Sequence, residues 1–269
     1  VAKQYDVEID EIDVCPVQIQ GPLSEDLMAK LAGDELREIP YYGLMETKVG
    51  GADCVISQTG FTGEKGYEIY VRDAHENAEK MWNAVLEAGE EFGLMVIAPA
   101  HHRRIAAGIL SWGQDLDHET SPFQVNLSYQ VPRNKKSDYI GKKELERQRA
   151  TIDEGKAPFK MKMVGITLGG KEITDYAPDF WLVTDTEDNE VGYVTSPWWS
   201  PELETNIALA WVPWNESEVG TKYKVKLPDE YSVESGVSVD AEIVDVPFRE
   251  SVNPNKREVQ AAKGLDFAE

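Results

Sequence analysis

Apolar and polar residues follow a strand-like pattern in four stretches of the first half of the chain. The stretches are residues 5–12, 14–19, 42–48 and 52–58, and a glycine pair, Gly50 and Gly51, separates the last two. Alternation with a two-residue period predicts β-strands with one buried face, and a glycine pair between two such runs predicts a hairpin. The first half of the chain is therefore expected to contain a sheet.

The most informative stretch is residues 59–71, TGFTGEKGYEIYV, in which three glycines precede a strand-like segment. Glycines at this density allow sharp turns and close approaches of the backbone. The two-residue period places Tyr67, Ile69 and Val71 on one face of the strand and Glu68 and Tyr70 on the other. Two interpretations are open: a carboxylate and a phenol held on a rigid strand to bind a ligand, or a hairpin whose polar face meets solvent.

Three segments carry helix signals. Ser24 is the predicted N-cap of a short helix that ends at Gly33. Asp73 and Glu76 have the spacing of a capping box and open a second helix. Pro99 marks the start of a third helix, over residues 100–110. The second helix is predicted to bury a stripe of apolar residues at helical spacing: Ala78, Met81, Trp82, Val85 and Leu86.

A charged linker at residues 150–158 precedes a change of pattern to short strands separated by turns. Residues 164–168, 207–211, 223–227 and 237–243 alternate, which predicts a small antiparallel barrel. Trp198 and Trp199 are placed on a loop between strands, where they line a cavity or pack against the neighbouring domain. The predicted fold class is thus α+β, with a ferredoxin-like layer in residues 1–150 and a barrel in residues 151–269. The tail after Pro254 is predicted to fray.

Composition and charge limit the function classes. The 269 residues are 41% hydrophobic and carry a formal net charge of -22, which predicts a globular chain that binds neither nucleic acid nor an anionic membrane. No apolar run approaches the length of a membrane span. Cys15 and Cys54 lack metal-ligand spacing, so they are expected to be buried thiols in a reducing cytoplasm.

Three polar clusters each allow a structural and a functional interpretation. Residues 101–104, HHRR, form either a solvated helix start or a site for a carboxylate. Arg133, Lys135 and Lys136 form either a charged loop or a contact for a polyanionic tail. The acidic stretch 114–119, QDLDHE, could hold a metal or an acid–base pair, but no spacing enforces either and we treat it as scaffold. No metal site is predicted.

Five blocks of the chain, taken together, resemble the glycine-cleavage T-protein (aminomethyltransferase) family. The stretch at residues 59–71 is similar to the family's TGYTGExGxEI signature. The other four blocks follow in the family's order. They are PVQIQGP at residues 16–22, RRIAAGILSWGQDLDHETSPF at 103–123, DYIGKKEL at 138–145 and GYVTSPWWSPELETNIALAWV at 192–212.

The resemblance implies a folate-binding aminomethyltransferase-type fold followed by a C-terminal barrel, with tetrahydrofolate as the cofactor. Glu68 matches the glutamate that holds the pterin ring, a role that suits a carboxylate because it can accept two parallel N–H bonds. The family's catalytic aspartate would precede Val1, so an upstream portion is expected to be missing and the catalytic residue is unknown. The cofactor-binding residues that we predict are Glu68, Tyr70, Phe61, Arg104, Arg133 and Trp198.

One departure from the family pattern bears on the substrate. Ala100 stands where aminomethyl-transferring members have an arginine, and Arg104 matches a position that looks structural in the family. The branch that includes dimethylsulfoniopropionate demethylase also lacks that arginine. Its tyrosine two residues past the glutamate is matched by Tyr70, and an aromatic residue in its loop is matched by Phe61. The resemblance therefore favours demethylation of a small sulfonium, ammonium or ether compound.

Three alternatives stay open at the level of the sequence. The first is the aminomethyltransferase of glycine cleavage itself. The second is a non-enzymatic folate-binding homologue of the kind that assists iron–sulfur assembly, although DYIGKKEL lacks the cysteine of the KGCYxGQE motif. The third is the folate module of a larger flavoprotein dehydrogenase. The expected partner is a small-molecule one-carbon donor, and the sequence does not indicate a partner protein or an oligomeric state.

Overall fold

A computed structural model describes residues 5–133 and 135–248. The chain divides into two compact units between Ala98 and Pro99. The division predicted at residue 150 lies inside the second compact unit and stays a prediction. None of the helices in the described ranges has the length and hydropathy needed to cross a bilayer.

The first unit is a four-stranded antiparallel sheet with two helices. The strands run in the spatial order β1-β4-β3-β2, so the signature strand β4 is central and β1 and β2 form the edges. The elements are β1 (Val14–Gln20), α1 (Ser24–Ala32), β2 (Leu44–Val49), β3 (Ala52–Ser57), β4 (Gly66–Arg72) and α2 (Ala74–Gly89), with single 3-10 turns at Asp34–Glu38 and Glu90–Phe92.

One face of this sheet forms the core of the unit. Tyr67, Ile69 and Val71 on β4 are fully buried and cluster with Met81 and Val85 of α2, as the two-residue and helical periods predict. The opposite face carries the polar side chains of β4 and its neighbours, which are only half-buried. Because alternate residues of a strand point to opposite faces, burying the first set directs Glu68 and Tyr70 to the second face.

The hairpin around Gly50 and Gly51 is confirmed, since both glycines adopt positive φ angles between β2 and β3. The strand predicted at residues 5–12 is wrong: this segment is irregular and its apolar side chains are exposed. Strand β1 is an edge of the sheet among the described residues, so the alternating pattern at 5–12 finds no ladder to join.

Gly33 ends α1 and Asp73 precedes α2 at its N-cap position, as predicted, but neither helix has the predicted side-chain cap at its N-terminus. Ser24 is the first helical residue, and its hydroxyl donates to the Lys65 carbonyl oxygen 3.2 Å away. Asp73 precedes α2 but makes no capping bond with its side chain. Instead, the Asp13 carboxylate accepts the His75 amide at 3.1 Å. Trp82 is half-buried and lies outside the core cluster, unlike its neighbour Met81.

The second unit contains a closed six-stranded antiparallel barrel, as predicted. Its strands run in the order β10-β5-β8-β7-β6-β9, each paired antiparallel to its neighbours. Two helices and a 3-10 turn, Ser128–Gln130, precede the barrel. The elements are α3 (His101–Ala106), α4 (Lys142–Asp153), β5 (Met161–Leu168), β6 (Trp181–Thr184), β7 (Glu190–Ser200), β8 (Thr205–Pro213), β9 (Lys222–Val225) and β10 (Val239–Val244).

Strand β8 is buried on both faces. Ala208, Ala210 and Val212 point into the barrel, whereas Leu209 and Trp211 join a second apolar cluster with Ile105 of α3 and other residues outside the barrel. The barrel therefore has a filled interior and also packs against the segment that precedes it. This second cluster positions helix α3 against the barrel wall.

Several local predictions in the second unit differ from the structure. Helix α3 ends at Ala106, short of residue 110, because the chain turns through Gly108 with a φ of +67°. The linker predicted at 150–158 begins later, since α4 continues to Asp153. Trp198 and Trp199 lie within strand β7, not on a loop, and pair with β8. The predicted fraying tail after Pro254 lies outside the described residues.

Candidate functional site

The Glu68 carboxylate is held in one orientation by two hydroxyl groups. Thr59 Oγ1 donates a short hydrogen bond to Glu68 Oε2, and Tyr70 OH donates to the same oxygen at 3.1 Å. Ser57 Oγ lies 2.6 Å from Thr59 Oγ1. Because the Thr59 hydroxyl proton is directed to Glu68, Ser57 is the donor in that second contact. One carboxylate oxygen is thus occupied, and Oε1 is left available to a ligand.

Burial keeps Tyr70 in the form that this arrangement needs. The pKa of the Tyr70 phenol is raised above its ordinary value, first by removal from solvent and then by the negative charge of Glu68. A phenol with a raised pKa stays protonated at neutral pH and continues to donate its hydrogen bond. The predicted pair Glu68 and Tyr70 therefore acts as one hydrogen-bonded unit on the polar face of β4.

The glycine-rich loop packs tightly against strand β1. A Cβ atom on Gly66 would lie 2.6 Å from the Ile19 carbonyl oxygen, and one on Gly60 would lie 2.8 Å from Gln18 Nε2. Gly63 has a φ of +75°, a conformation that favours glycine. Each glycine of the signature therefore meets a steric or conformational requirement, and together they hold the loop at the edge of the polar face.

Two loop residues complete the neighbourhood of this polar face. Thr62, which is buried, donates a short hydrogen bond from its hydroxyl to Gln20 Oε1. Phe61 lies on the loop with 37% of its surface exposed. The structure therefore brings Phe61 into the same unit as Glu68 and Tyr70, and its assignment to cofactor binding stays a prediction.

Gln18 was not predicted as a site residue. Strand register places it directly opposite Glu68, and Glu68 is in turn opposite Ser57, so the three side chains form a row across β1, β4 and β3. The sequence signal that could have found Gln18 is the block PVQIQGP itself. Two-residue periodicity puts both glutamines of that block on the face that does not pack into the core.

Arg104 is buried in the second unit with every donor occupied. Its guanidinium donates to Asp115 Oδ2 at 2.8 Å, to Ser196 Oγ at 2.9 Å, and to Gln114, Ile109 and His101 at 3.1–3.3 Å. A guanidinium has five N–H groups, so none is left for a ligand in this arrangement. The geometry favours a structural role for Arg104, and its assignment to cofactor binding stays a prediction without support from these contacts.

Asp115 is the ion-pair partner of Arg104 and gives the acidic stretch, residues 114–119, a structural role. Its carboxylate also accepts from the Ser111 amide at 2.7 Å and from the hydroxyls of Thr195 and Ser196 at 2.6 Å each. A buried carboxylate with these partners ties the stretch to strand β7. The stretch therefore acts as scaffold, as expected from the sequence.

Trp198 stacks on the imidazole of His101, with ring centroids 5.5 Å apart and an interplanar angle of 23°. The ring of Tyr176 also contacts the imidazole of His101, with ring centroids 5.3 Å apart. Burial and the neighbouring Arg104 charge lower the pKa of His101, so this imidazole is neutral at pH 7. Arg104 Nε donates to its Nδ1, which assigns the proton of the neutral ring to Nε2.

Arg133 makes a two-point ion pair with Asp153, at 2.8 and 2.9 Å. Both side chains are about half exposed. Both terminal nitrogens of the Arg133 guanidinium are thus bound to Asp153, the last residue of α4. The assignment of Arg133 to cofactor binding stays a prediction. Within the described residues, no group of three or more His, Cys, Asp or Glu side chains could hold a metal ion.

Two known protein-domain families match this chain. The GCVT N-terminal domain matches residues 1–135, and the glycine cleavage T-protein C-terminal barrel domain matches residues 162–249. The chain belongs to the glycine-cleavage T-protein family. The barrel that the second match describes is the closed six-stranded barrel of the structure, and both the recognition and the fold class predicted from the sequence are confirmed.

Relatives within the T-protein family carry two different activities in their names. An aminomethyltransferase of Clostridium botulinum (strain Okra / Type B1) is 34% identical over 228 residues, which cover 83% of this chain and 58% of that protein. The dimethylsulfoniopropionate demethylase DmdA of Ruegeria pomeroyi is 32% identical over 229 residues, covering 85% of this chain and 60% of that protein. The chain therefore spans less than two thirds of the length of these relatives.

A solved T-protein shows the same fold. The glycine cleavage system aminomethyltransferase T from Bartonella henselae superimposes with a TM-score of 0.69 at 24% identity, over 88% of this chain and 60% of that one. This likeness extends to the fold alone. The chemistry of the site rests on the contacts of Glu68 described above.

Proposed function

We propose that the protein containing this chain is a tetrahydrofolate-dependent one-carbon transferase and that Glu68 holds the pterin ring. The observation that supports the proposal is the half-buried Glu68 carboxylate, with Oε2 occupied by Thr59 and Tyr70 and Oε1 open. A fixed carboxylate oxygen on a rigid strand suits the N–H groups of a pterin, which point in fixed directions.

The donor set fits the proposed cofactor. Tetrahydrofolate, when bound, supplies the N5 nitrogen that accepts the one-carbon unit. The contribution of this chain is to bind and orient: Glu68 accepts from the ring, Tyr70 and Thr59 keep the carboxylate from rotating, and the glycine-rich loop closes the edge of the site. Preorganised groups of this kind lower a barrier because the ligand does not have to order them.

The donor that we favour is a small sulfonium, ammonium or ether compound, with the methyl group passing to N5. In that reaction the bond from carbon to the donor heteroatom breaks with its electron pair leaving on the heteroatom, and N5 loses a proton. Ala100 in place of the family's arginine and the resemblance of Tyr70 and Phe61 to the demethylase branch support this choice. The aminomethyl transfer of glycine cleavage is the second candidate, supported by the aminomethyltransferases among the relatives.

Calorimetry with tetrahydrofolate tests the binding site. The full-length protein is expected to bind it, and Glu68→Ala is expected to lose roughly 1.5–3 kcal/mol of binding free energy, because a hydrogen bond to a charged group is lost. Glu46→Ala is the matched control. This carboxylate lies on the same face of the sheet but on the edge strand β2, where it pairs with Arg72 and is exposed. Equal binding by the wild-type and Glu68→Ala proteins would remove the site assignment.

Product analysis separates the two reactions. With dimethylsulfoniopropionate or a methylated amine as donor, methyl transfer yields 5-methyltetrahydrofolate. An aminomethyl donor instead yields the methylene derivative and ammonia. The methyl product alone supports the favoured reaction, whereas the methylene product alone moves the protein to the glycine-cleavage activity.

A further inference from the structure

Gln18 contains one of the two unsatisfied buried side-chain atoms among the described residues. Its Nε2 is shielded from solvent and has no hydrogen-bond partner, and the other such atom is Thr184 Oγ1 in the barrel. Buried donors are nearly always paired in folded proteins, because leaving one unpaired lowers stability. An exception at a candidate site therefore needs an explanation.

The surroundings of Glu68 are asymmetric across the sheet. Toward β3, the hydroxyls of Ser57 and Thr59 form a donor chain that ends on the carboxylate. Toward β1, the directly opposite residue is Gln18, and its amide donor is unused. Side chains that face each other across an antiparallel pair have Cβ atoms about 4.5–5.5 Å apart, so both can contact one planar ligand. The row thus offers an available acceptor on Glu68 beside an unused, buried donor on Gln18.

We propose that Gln18 is a ligand-binding residue and that its carboxamide donates a hydrogen bond to the C4 carbonyl oxygen of the pterin held by Glu68. This inference rests on the proposed function and extends it to ring recognition. The edge of a pterin carries N–H donors next to that carbonyl oxygen. A carboxylate and a carboxamide side by side are the complementary pair, one accepting from the ring nitrogen and the other donating to the oxygen.

Gln18 can reach the ligand at low cost. Gln18 Nε2 lies beside Gly60. A Cβ atom added to Gly60 would come within 2.8 Å of this nitrogen. The terminal torsion of a glutamine side chain is soft, and rotation of the carboxamide breaks no bond to Nε2 because none exists. Gly60, which lacks a side chain, leaves room for that rotation.

The first test is a substitution of Gln18 whose expected effects on stability and on affinity are opposite in sign. Gln18→Met keeps the length of the side chain and removes the unpaired donor, so it is expected to raise the thermal midpoint by about 2–4 °C. The same substitution is expected to weaken tetrahydrofolate binding about tenfold. Thr184→Val is the matched control, because it removes the other unpaired atom and is expected to raise the midpoint without changing affinity.

The second test reads the proposed bond from the ligand side. The 4-deoxy analogue of tetrahydrofolate carries hydrogen where the pterin has its C4 carbonyl oxygen, so it can neither accept from Gln18 nor donate to it. The analogue also lacks the ring N–H beside that oxygen, which is a donor to Glu68, so the wild-type protein is expected to prefer tetrahydrofolate by more than about tenfold, and Gln18→Met to reduce that preference about tenfold without abolishing it. A side chain that only supports the fold would weaken both ligands equally.

The outcomes distinguish this inference from the proposed function. If the wild-type protein binds tetrahydrofolate and Gln18→Met retains the same preference for the carbonyl, the role of Gln18 is wrong while the function of Glu68 stands. If the wild-type protein binds neither ligand, the proposed function fails and the role of Gln18 fails with it. A lower thermal midpoint for Gln18→Met would show that its amide is satisfied in the native protein, which also overturns the inference.

Discussion

Arg104 and Asp115 form a 2.8 Å ion pair that solvent does not reach, with 1% and 0% of their side chains exposed. The pair joins helix α3 to the acidic stretch, and hydroxyls of β7 complete it. Replacing one partner of such a pair leaves the other charge buried and uncompensated. The pair therefore fixes the segment between α3 and the barrel in one arrangement.

Arg104→Met is expected to destabilise the second unit by about 3–5 kcal/mol, because Asp115 would be left buried without its ion-pair partner. Urea unfolding followed by circular dichroism measures the change. Arg133→Gln is the control, since its ion pair with Asp153 is half exposed and is expected to contribute at most about 1 kcal/mol. Similar losses for the two variants would show that burial of the Arg104 pair has no special effect.

Tyr70→Phe is expected to weaken tetrahydrofolate binding by roughly three- to tenfold while leaving the thermal midpoint within a few degrees, because one of the two hydroxyls that orient Glu68 is lost. Calorimetry with the full-length protein measures the affinity. Tyr5→Phe removes an exposed phenol of the same unit and is expected to change nothing. Undiminished affinity in Tyr70→Phe would mean that the Thr59 contact alone orients the carboxylate.

The strand pattern correctly predicted which side chains of β4 lie on each face, because this depends on local geometry. Burial of Tyr67, Ile69 and Val71 follows from the two-residue period, and this in turn directs Glu68 and Tyr70 to the opposite face. The same alternation failed at residues 5–12. A strand also needs a neighbour to pair with, and periodicity contains no information about neighbours.

Long-range contacts could not be predicted from the pattern. The charged run at residues 101–104 has the composition of a solvated helix start, yet Arg104 is buried because Asp115 and Ser196 meet it from other parts of the chain. The sequence around Trp198, SPWWSP, does not show the alternation of a strand. Pairing with Ile207 of β8 keeps it in a strand.

Gly192→Ala is expected to destabilise the barrel by about 3 kcal/mol, because the new Cβ would lie 2.0 Å from the Trp211 carbonyl oxygen in the neighbouring strand. Gly169→Ala is the control: its Cβ would have an ordinary 3.5 Å contact with Val239. Thermal unfolding of both variants measures the difference. Comparable midpoints would show that β7 can shift enough to accept a methyl group.

His101 is expected to make stability depend on pH with a defined sign. Burial and the Arg104 charge lower its pKa in the folded protein, whereas Asp115 acts in the opposite direction. The unfolded chain then binds more protons than the folded chain below the ordinary histidine pKa of about 6.5. The contribution of His101 is therefore complete above that value and is lost as the pH falls.

Urea midpoints of the wild-type and His101→Gln proteins between pH 5 and 7.5, a range on the order of one unit either side of the ordinary pKa, measure this effect. Loss of ring stacking on Trp198 lowers the midpoint of His101→Gln at every pH, so the informative quantity is how the gap changes with pH. The gap is expected to narrow toward acid pH, since the wild-type protein alone loses the His101 contribution. His75 has a raised pKa caused by Asp13 and the opposite sign, but it is present in both proteins and cancels. A gap that is constant across the range would contradict a lowered His101 pKa.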